Sequence, residues 1–334
     1  MPEALALDAQ REVARIDHWL REAVGTRLRR RGVIVAMSGG VDSSVCAALA
    51  VSALGKERVL GLLLPDLESS GESRSLGAGV AEQLGLEHLT ENIGPALSAL
   101  GCYRWRDQAI GEVVPEFAPD WKVKIAIVPA GGATGLSYFK VVVQSPSGQL
   151  IEKRLPARQY RQIVAATNYK QRVRKAIEYF HADRLGYAVI GTPNRLEFDQ
   201  GFFVKGGDGL ADLKPIAHLY KTQVYALARY LKLPEAVCSA LPTTDTYTLA
   251  QGQDEFYFGL AYDKMDLALW GHNHGVPVET LANQLSMSVE AASRVYRDIE
   301  SKRQSTAYLH STALTIEPIA QVQRLDGLAH APVL

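Results

Sequence analysis

An apolar run, Val33-Ile34-Val35-Ala36-Met37, ends in Ser38-Gly39-Gly40-Val41-Asp42-Ser43-Ser44 and passes into a second apolar stretch over residues 45–54. A strand without polar alternation is buried on both faces, and strand, Gly-rich turn and helix in series build a parallel sheet covered by helices. Residues 59–64 repeat the pattern, followed by the Ser/Gly-rich loop 67–75 and a helix through Leu84, and 188–191 read as another strand. The first turn also suits an anion. Its glycines let backbone approach a phosphate, and the following helix offers free N–H groups and positive potential. The Ser38, Ser43 and Ser44 hydroxyls can donate to phosphate oxygens, but Asp42 would repel them unless a divalent cation intervenes, which implies Mg²⁺. Neither G-x-x-x-x-G-K-[ST] nor G-x-G-x-x-G occurs here, which disfavours a Walker-type NTPase and a dinucleotide fingerprint.

With 334 residues, 47% of them hydrophobic, the chain can bury a full core. Its 36 basic and 36 acidic residues cancel, so no global field draws it to nucleic acid or anionic lipid. Residues 5–28 read as an amphipathic helix running into Arg27-Leu28-Arg29-Arg30-Arg31, where cations suit the helix dipole and a nucleic-acid patch is the sharper alternative. There is no unbroken apolar run of about 20 residues to span a membrane, and the N-terminus lacks a secretory pattern. Cys46, Cys102 and Cys238 form no C-x-x-C pair. A soluble cytoplasmic protein with small buried thiols is the expectation.

The pattern changes in mid-chain. Residues 122–128 and 138–143 are rich in β-branched and aromatic side chains around a Gly-rich turn at 129–135, and Leu150-Ile151 resumes after Ser145-Pro146-Ser147-Gly148. This predicts a small antiparallel insertion. Helical periodicity returns from Tyr169, residues 221–231 form another helix, and 278–302 form two with Leu281, Leu285, Ala292, Val295 and Ile299 inward. That pair imitates a helix-turn-helix, against which the neutral charge argues. Gly271-His272-Asn273-His274-Gly275 lacks a nearby third metal ligand and reads as a loop.

The 38–44 segment resembles the pyrophosphate-holding loop of the ATP pyrophosphatase superfamily. Further segments narrow the resemblance: Thr167-Asn168-Tyr169-Lys170-Gln171-Arg172-Val173-Arg174, Gly191-Thr192-Pro193-Asn194-Arg195-Leu196-Glu197, the 201–209 loop, and Leu219-Tyr220-Lys221-Thr222-Gln223-Val224. With Gly252-Gln253-Asp254-Glu255, Gly259–Asp263 and Lys302-Arg303, they resemble the NAD synthetase family over roughly residues 10–100 and 165–305. The resemblance implies a doubly wound parallel α/β sheet (adenine nucleotide alpha hydrolase-like) with C-terminal helices. It implies one domain over 1–334, interrupted at 103–160 by an insertion that is partly β-hairpin-like. The activity implied is that of an ATP-dependent ligase, which adenylates a carboxylate, releases pyrophosphate and transfers the acyl group to ammonia, in a homodimer.

Adenylation accumulates negative charge on phosphorus and on departing pyrophosphate, which cations must meet. By resemblance Asp42, Glu197 and Lys221 are the catalytic set, with Asp42 and Glu197 holding Mg²⁺. Ser38, Gly39, Gly40, Asp42, Ser43, Ser44, Leu64, Thr192 and Lys221 form the ATP-binding set, with Thr192 on the loop where the family places the adenosine. Asn168, Arg172, Lys205, Asp208 and Asp212 form the acyl-substrate set. Blander readings stand beside these: Lys221 as a solvated lysine, Glu197 as a surface partner of Arg195, and Asp254 and Glu255 as helix-start acids. Arg172 and Arg174, two apart on a helix, do not share a face.

The sequence departs from the family on the acyl side. Pro193 stands where relatives carry glycine, Val204 and Gly206 replace a hydroxyl and an aromatic, the loop 242–248 differs, and Phe256-Tyr257-Phe258 adds bulk. NAD synthesis and amidation of a different carboxylate therefore both remain open, with the insertion expected beside the acyl site. A sulfur-transfer enzyme or a non-enzymatic nucleotide-binding module are the other readings. No segment outside the matched region is long enough for a glutaminase, so free ammonia or a separate glutaminase is expected.

Overall fold

The computed structural model describes residues 2–69, 71–128, 138–242, 247–249, 252 and 257–317. The expected turn at 129–135, residues 243–246, and Gln253, Asp254, Glu255 and Phe256 lie outside them.

Helix α1 (Ala9–Glu22) opens the fold, with Asp8 accepting from the Arg11 amide at its N-cap. Strand β1 (Val33–Ala36) leads through the 38–44 turn into α2 (Val41–Leu54), and β2 (Val59–Leu63) precedes α3 (Gly71–Leu84). Then come β3 (Glu87–Thr90), α4 (Gly94–Ala99), α5 (Cys102–Gly111), β4 (Lys122–Val128), β5 (Tyr138–Gln144) and β6 (Leu150–Arg154). The long α6 (Ala157–Leu185), β7 (Ala188–Ile190) and α7 (Arg195–Gln200) follow. The rest is helical: α8 (Lys221–Tyr230), α9 (Glu235–Ser239), α10 (Tyr262–Asn273), α11 (Val278–Leu285) and α12 (Val289–His310).

Four strands form a parallel sheet in the order β3-β2-β1-β7, with Val33 opposite both Val59 and Ala188. Successive side chains serve opposite faces. Val33 and Val35 join the core shared with α1, α2 and α8, while Ile34, Leu60 and Leu62 join Leu97, Val173, Ile177 and Ala182 on the other side. The doubly wound arrangement is therefore present, and β1, β2 and β7 are buried as their composition requires. The edge strand β3 escaped the sequence reading because Glu-His-Leu-Thr has neither an apolar run nor a buried face. Helix α6 begins three turns before Tyr169, its start marked only by Pro156 at the N-cap.

Between α5 and α6 lies a three-stranded meander, β4-β5-β6, one strand more than a hairpin. Val123, Ile125, Val141 and Val143 pack on Ala109 and Ile110 of α5 and Ile163 of α6. Tyr247 joins this core, the Val123 amide donates to Thr248 Oγ1 at 2.7 Å, and the Leu249 amide donates to the Val123 carbonyl at 3.1 Å. Residues 247–249 thus lie on the free edge of β4, where an unpaired strand accepts further chain. Among the described residues no helix is long and apolar enough to cross a membrane.

A buried charge cluster joins this region to the parallel sheet. Lys170 of α6, 1% exposed, bridges Glu68 at 2.6 Å and Asp66 at 3.3 Å in the loop after β2. Arg106 of α5 pairs with Glu68, and Arg174 donates to Asp66 at 3.1 Å and to the Leu64 carbonyl at 3.0 Å. Removing one partner from a buried set strands the others' charge, which costs about 3–5 kcal/mol. Lys170→Met is accordingly expected to lower unfolding free energy by about that amount in urea titrations, whereas Lys140→Met, at the exposed pair with Glu152, should change it by less than about 1 kcal/mol.

Candidate active site

All three connections that leave the C-terminal ends of β1, β2 and β7 meet along one sheet edge, where open α/β folds bind ligands. The turn after β1 bends at Gly39, whose φ is +81°, and a Cβ there would sit 2.3 Å from the Ser73 carbonyl oxygen. Only glycine meets both demands. Gly40 caps α2 without a side-chain bond, so the first-turn amides of α2 are left for an external acceptor. Ser38 Oγ and Ser43 Oγ lie 3.2 Å apart, and the Ser43 and Ser44 hydroxyls donate to the Gly40 carbonyl at 3.0 and 2.9 Å. These bonds hold the turn as a preformed cradle.

Three distant chain segments converge on Asp42. Lys221, first residue of α8 and 1% exposed, pairs with its Oδ2, and Asn194 Nδ2 donates to its Oδ1 at 3.2 Å. Asn194 also forms a reciprocal capping box with Glu197: its Oδ1 accepts from the Glu197 amide, and Glu197 Oε2 accepts from the Asn194 amide. Burial and then the Asp42 charge push the Glu197 carboxyl up to about 8. Burial would lower the Lys221 ammonium, but Asp42 and Glu197 outweigh it and hold it charged above its usual range. Two close carboxylates of which one resists ionisation are hard oxygen donors short of positive charge, which suits a divalent cation.

Lys221 is thus not a solvated lysine, nor is Glu197 a surface partner of Arg195, which pairs instead with Asp199 at 3.2 Å. Thr192 lies half-buried after β7, and the Leu64 carbonyl is taken by Arg174. The acyl-side residues are less gathered. Asp212 accepts from Tyr179 Oη at 3.2 Å and the Val189 amide at 2.8 Å, tying α6 to β7, while Asp208 accepts from the Val204 amide at 2.7 Å. Arg172 Nε donates to the Lys205 carbonyl, the Lys205 ammonium turns to the end of α12, and Asn168 is half-buried on α6.

The sequence matches the family model described as NAD synthase over residues 12–114 and 136–308. The chain belongs to the NAD synthase family. An NH(3)-dependent NAD(+) synthetase of Mesorhizobium japonicum is 54% identical over 93% of this chain and 97% of its own. One from Thermotoga maritima is 36% identical over 72% and 79%. The fold matches the NMN synthetase of Francisella tularensis (TM-score 0.62, 21% identity, 93% of this chain and 99% of that one). It also matches the NH3-dependent NAD synthetase of Campylobacter jejuni (0.61, 21%, 93% and 100%). As a family member the chain is an ATP-dependent ligase that amidates a carboxylate.

Two residues that the structure joins to the candidate site were not picked out from the sequence. Asn194 was legible, since an Asn three residues before a Glu is a capping signal. Asp266 was not. From α10, fully buried, it accepts from the Lys221 amide at 3.2 Å and the Thr222 amide at 2.7 Å, and so fixes the start of α8 from 45 residues away. Burial, partly offset by these amides, raises its carboxyl from 3.8 to about 6. The folded state therefore binds this proton more tightly than the unfolded chain, so Asp266 ionisation costs stability as pH rises from about 4 to 6 and none below that window. In Asp266→Asn, melting temperatures measured at pH 4, 5 and 6 are expected to lose that component of the pH dependence and to lie below wild type at pH 4.

Proposed function

We propose that this chain makes NAD by amidating nicotinic acid adenine dinucleotide with ammonia at the expense of Mg-ATP. The convergence of Asp42, Asn194, Glu197 and Lys221 at the N-terminus of α2 carries the reading, together with the likeness to rhizobial NH(3)-dependent NAD(+) synthetases at 50–54% identity.

The reaction takes two displacements. A substrate carboxylate oxygen attacks the α-phosphorus and the bond to pyrophosphate breaks. Ammonia then adds to the acyl carbon, loses a proton, and AMP departs with the C–O electron pair. Ser38, Ser43 and the first amides of α2 receive the β- and γ-phosphates, and Lys221 meets the charge of the leaving pyrophosphate. Asp42 and Glu197 would hold Mg²⁺, which supplies Lewis-acid charge to the phosphates. Asp266 holds the backbone of Lys221, which orients that ammonium. Thr192 and the chain at Leu64 border the nucleoside, and Asn168, Arg172, Asp208, Asp212 and the 201–210 loop form the acyl wall.

Free ammonia is the nitrogen source in this reading, with a separate glutaminase as its possible supplier and no nucleic-acid partner. A homodimer is supported by the exposed side of α6, where Ala165, Arg172, Ala176 and the 61%-exposed Phe180 follow one another at helical spacing. Three buried free thiols fit a cytoplasmic setting.

A second acid merits the same assay, because Gly206 leaves open space where relatives carry a ring. Purified protein with Mg-ATP, ammonia and nicotinic acid adenine dinucleotide is expected to release pyrophosphate and form NAD, with Asp42→Asn at least about 100-fold slower. Turnover of nicotinic acid mononucleotide alone would move the substrate, and pyrophosphate release with neither acid would refute the reading.

A further inference from the structure

The last two turns of α12 touch both the helix that carries Glu197 and the loop placed on the acyl side. Arg303, Thr306 and His310 recur at i, i+3 and i+7 on one face. Arg303 grips Asp199 of α7 through two nitrogens at 2.6 and 2.9 Å, and Thr306 Oγ1 lies 3.3 Å from the Gln200 carbonyl. Gly201 has φ +71°, and a Cβ there would meet Thr306 Cβ at 2.3 Å, so the loop leaves α7 pressed against α12. His310 stands edge-on to Phe198 at 4.9 Å and to Phe203 at 5.1 Å.

Lys205 completes the contact. Its ammonium donates to the Tyr308 carbonyl at 2.6 Å and to both the carbonyl and Oγ of Ser311 at 3.0 Å, and it lies 5.6 Å from the Tyr308 ring centroid. A helix C-terminus carries negative potential and leaves acceptor capacity on its last carbonyls, so one lysine answers both. An ammonium has three hydrogens, and here each has an acceptor. From the other side Arg172 of α6 binds the Lys205 carbonyl at 3.3 Å. The 201–210 loop is therefore suspended between α6 and the end of α12.

We propose that the α12 terminus is a latch that positions the 201–210 loop for the acyl substrate, and that Lys205 acts as a positioning residue by closing it. The proposal rests on the reading that this loop is part of the acyl wall. Tyr308, His310 and Ser311 lie at or beyond residue 308, where the family match stops, so the latch belongs to the part of the helix least covered by that match.

The test uses full-length Lys205→Met, Tyr308→Pro and their double variant. Proline at 308 removes an N–H and the ring beside Lys205 and unwinds the last turn, while the lysine itself is kept. Each variant is expected to raise KM for the acyl substrate about tenfold while KM for ATP and kcat stay within about twofold. The double should be no worse than either single, because both break one contact. Amide exchange over 202–210 should accelerate in each, with exchange in β1 and α2 unchanged, and Lys205→Arg should restore both readouts by reaching the same carbonyls. Loss of acyl binding in Lys205→Met with a wild-type Tyr308→Pro would make Lys205 a direct substrate ligand and overturn the latch. Unchanged exchange over 202–210 in Lys205→Met would also overturn it. If the wild type amidates no acid, the functional reading fails, and exchange over 202–210 still decides the contact.

Discussion

The buried pair of Lys221 with Asp42 is the interaction on which the candidate-site edge depends. Each charge would be costly alone at that depth, and each is placed by a different device: Asp42 by the helix that follows the Gly39 bend, Lys221 by the α8 start that Asp266 holds. Asn194 ties the pair to Glu197 through one side-chain amide. Pairing with Lys221 leaves one negative charge too many once Glu197 ionises. That surplus, in a cradle of hydroxyls and helix-terminal amides, is the charge balance that the proposed Mg-ATP reading calls for.

Charge also organises the surroundings. The loop after β2 contributes Asp66 and Glu68, and α5 and α6 answer with Arg106, Lys170 and Arg174. Because the meander packs on α5 and α6, it is coupled to the nucleotide edge through these pairs and not through apolar contact alone. Directional, costly-to-break contacts fix relative position more sharply than apolar packing, which tolerates sliding. The meander is thus tied by charge to the loop after β2, with residues 247–249 held on its β4 edge.

Legibility followed periodicity and spacing. β1, β2 and β7 announce themselves as unbroken apolar runs, and the phosphate turn as glycines between a strand and a helix. β3 does not, since a half-exposed edge strand can be Glu-His-Leu-Thr, and the first three turns of α6 are hidden by a polar, Arg-rich start. Asp42, Glu197 and Lys221, which the fold brings together, stand in motifs legible in the sequence. Lys205 falls in the acyl-substrate set by resemblance alone, and no local signal shows that its ammonium reaches the Tyr308 and Ser311 carbonyls at the end of α12.

By itself the sequence determined the alternating α/β architecture, the glycine-bent turn after β1 and the family, because hydrophobic period, glycine freedom and local motifs act within a few residues. Only the tertiary structure decided which charges meet. Asp266 against the start of α8, Lys170 between Asp66 and Glu68, and Lys205 at the end of α12 join positions 44 to 106 residues apart. Such pairings follow from packed distances and from the demand that buried polar groups be satisfied, and neither is written in the local order of residues.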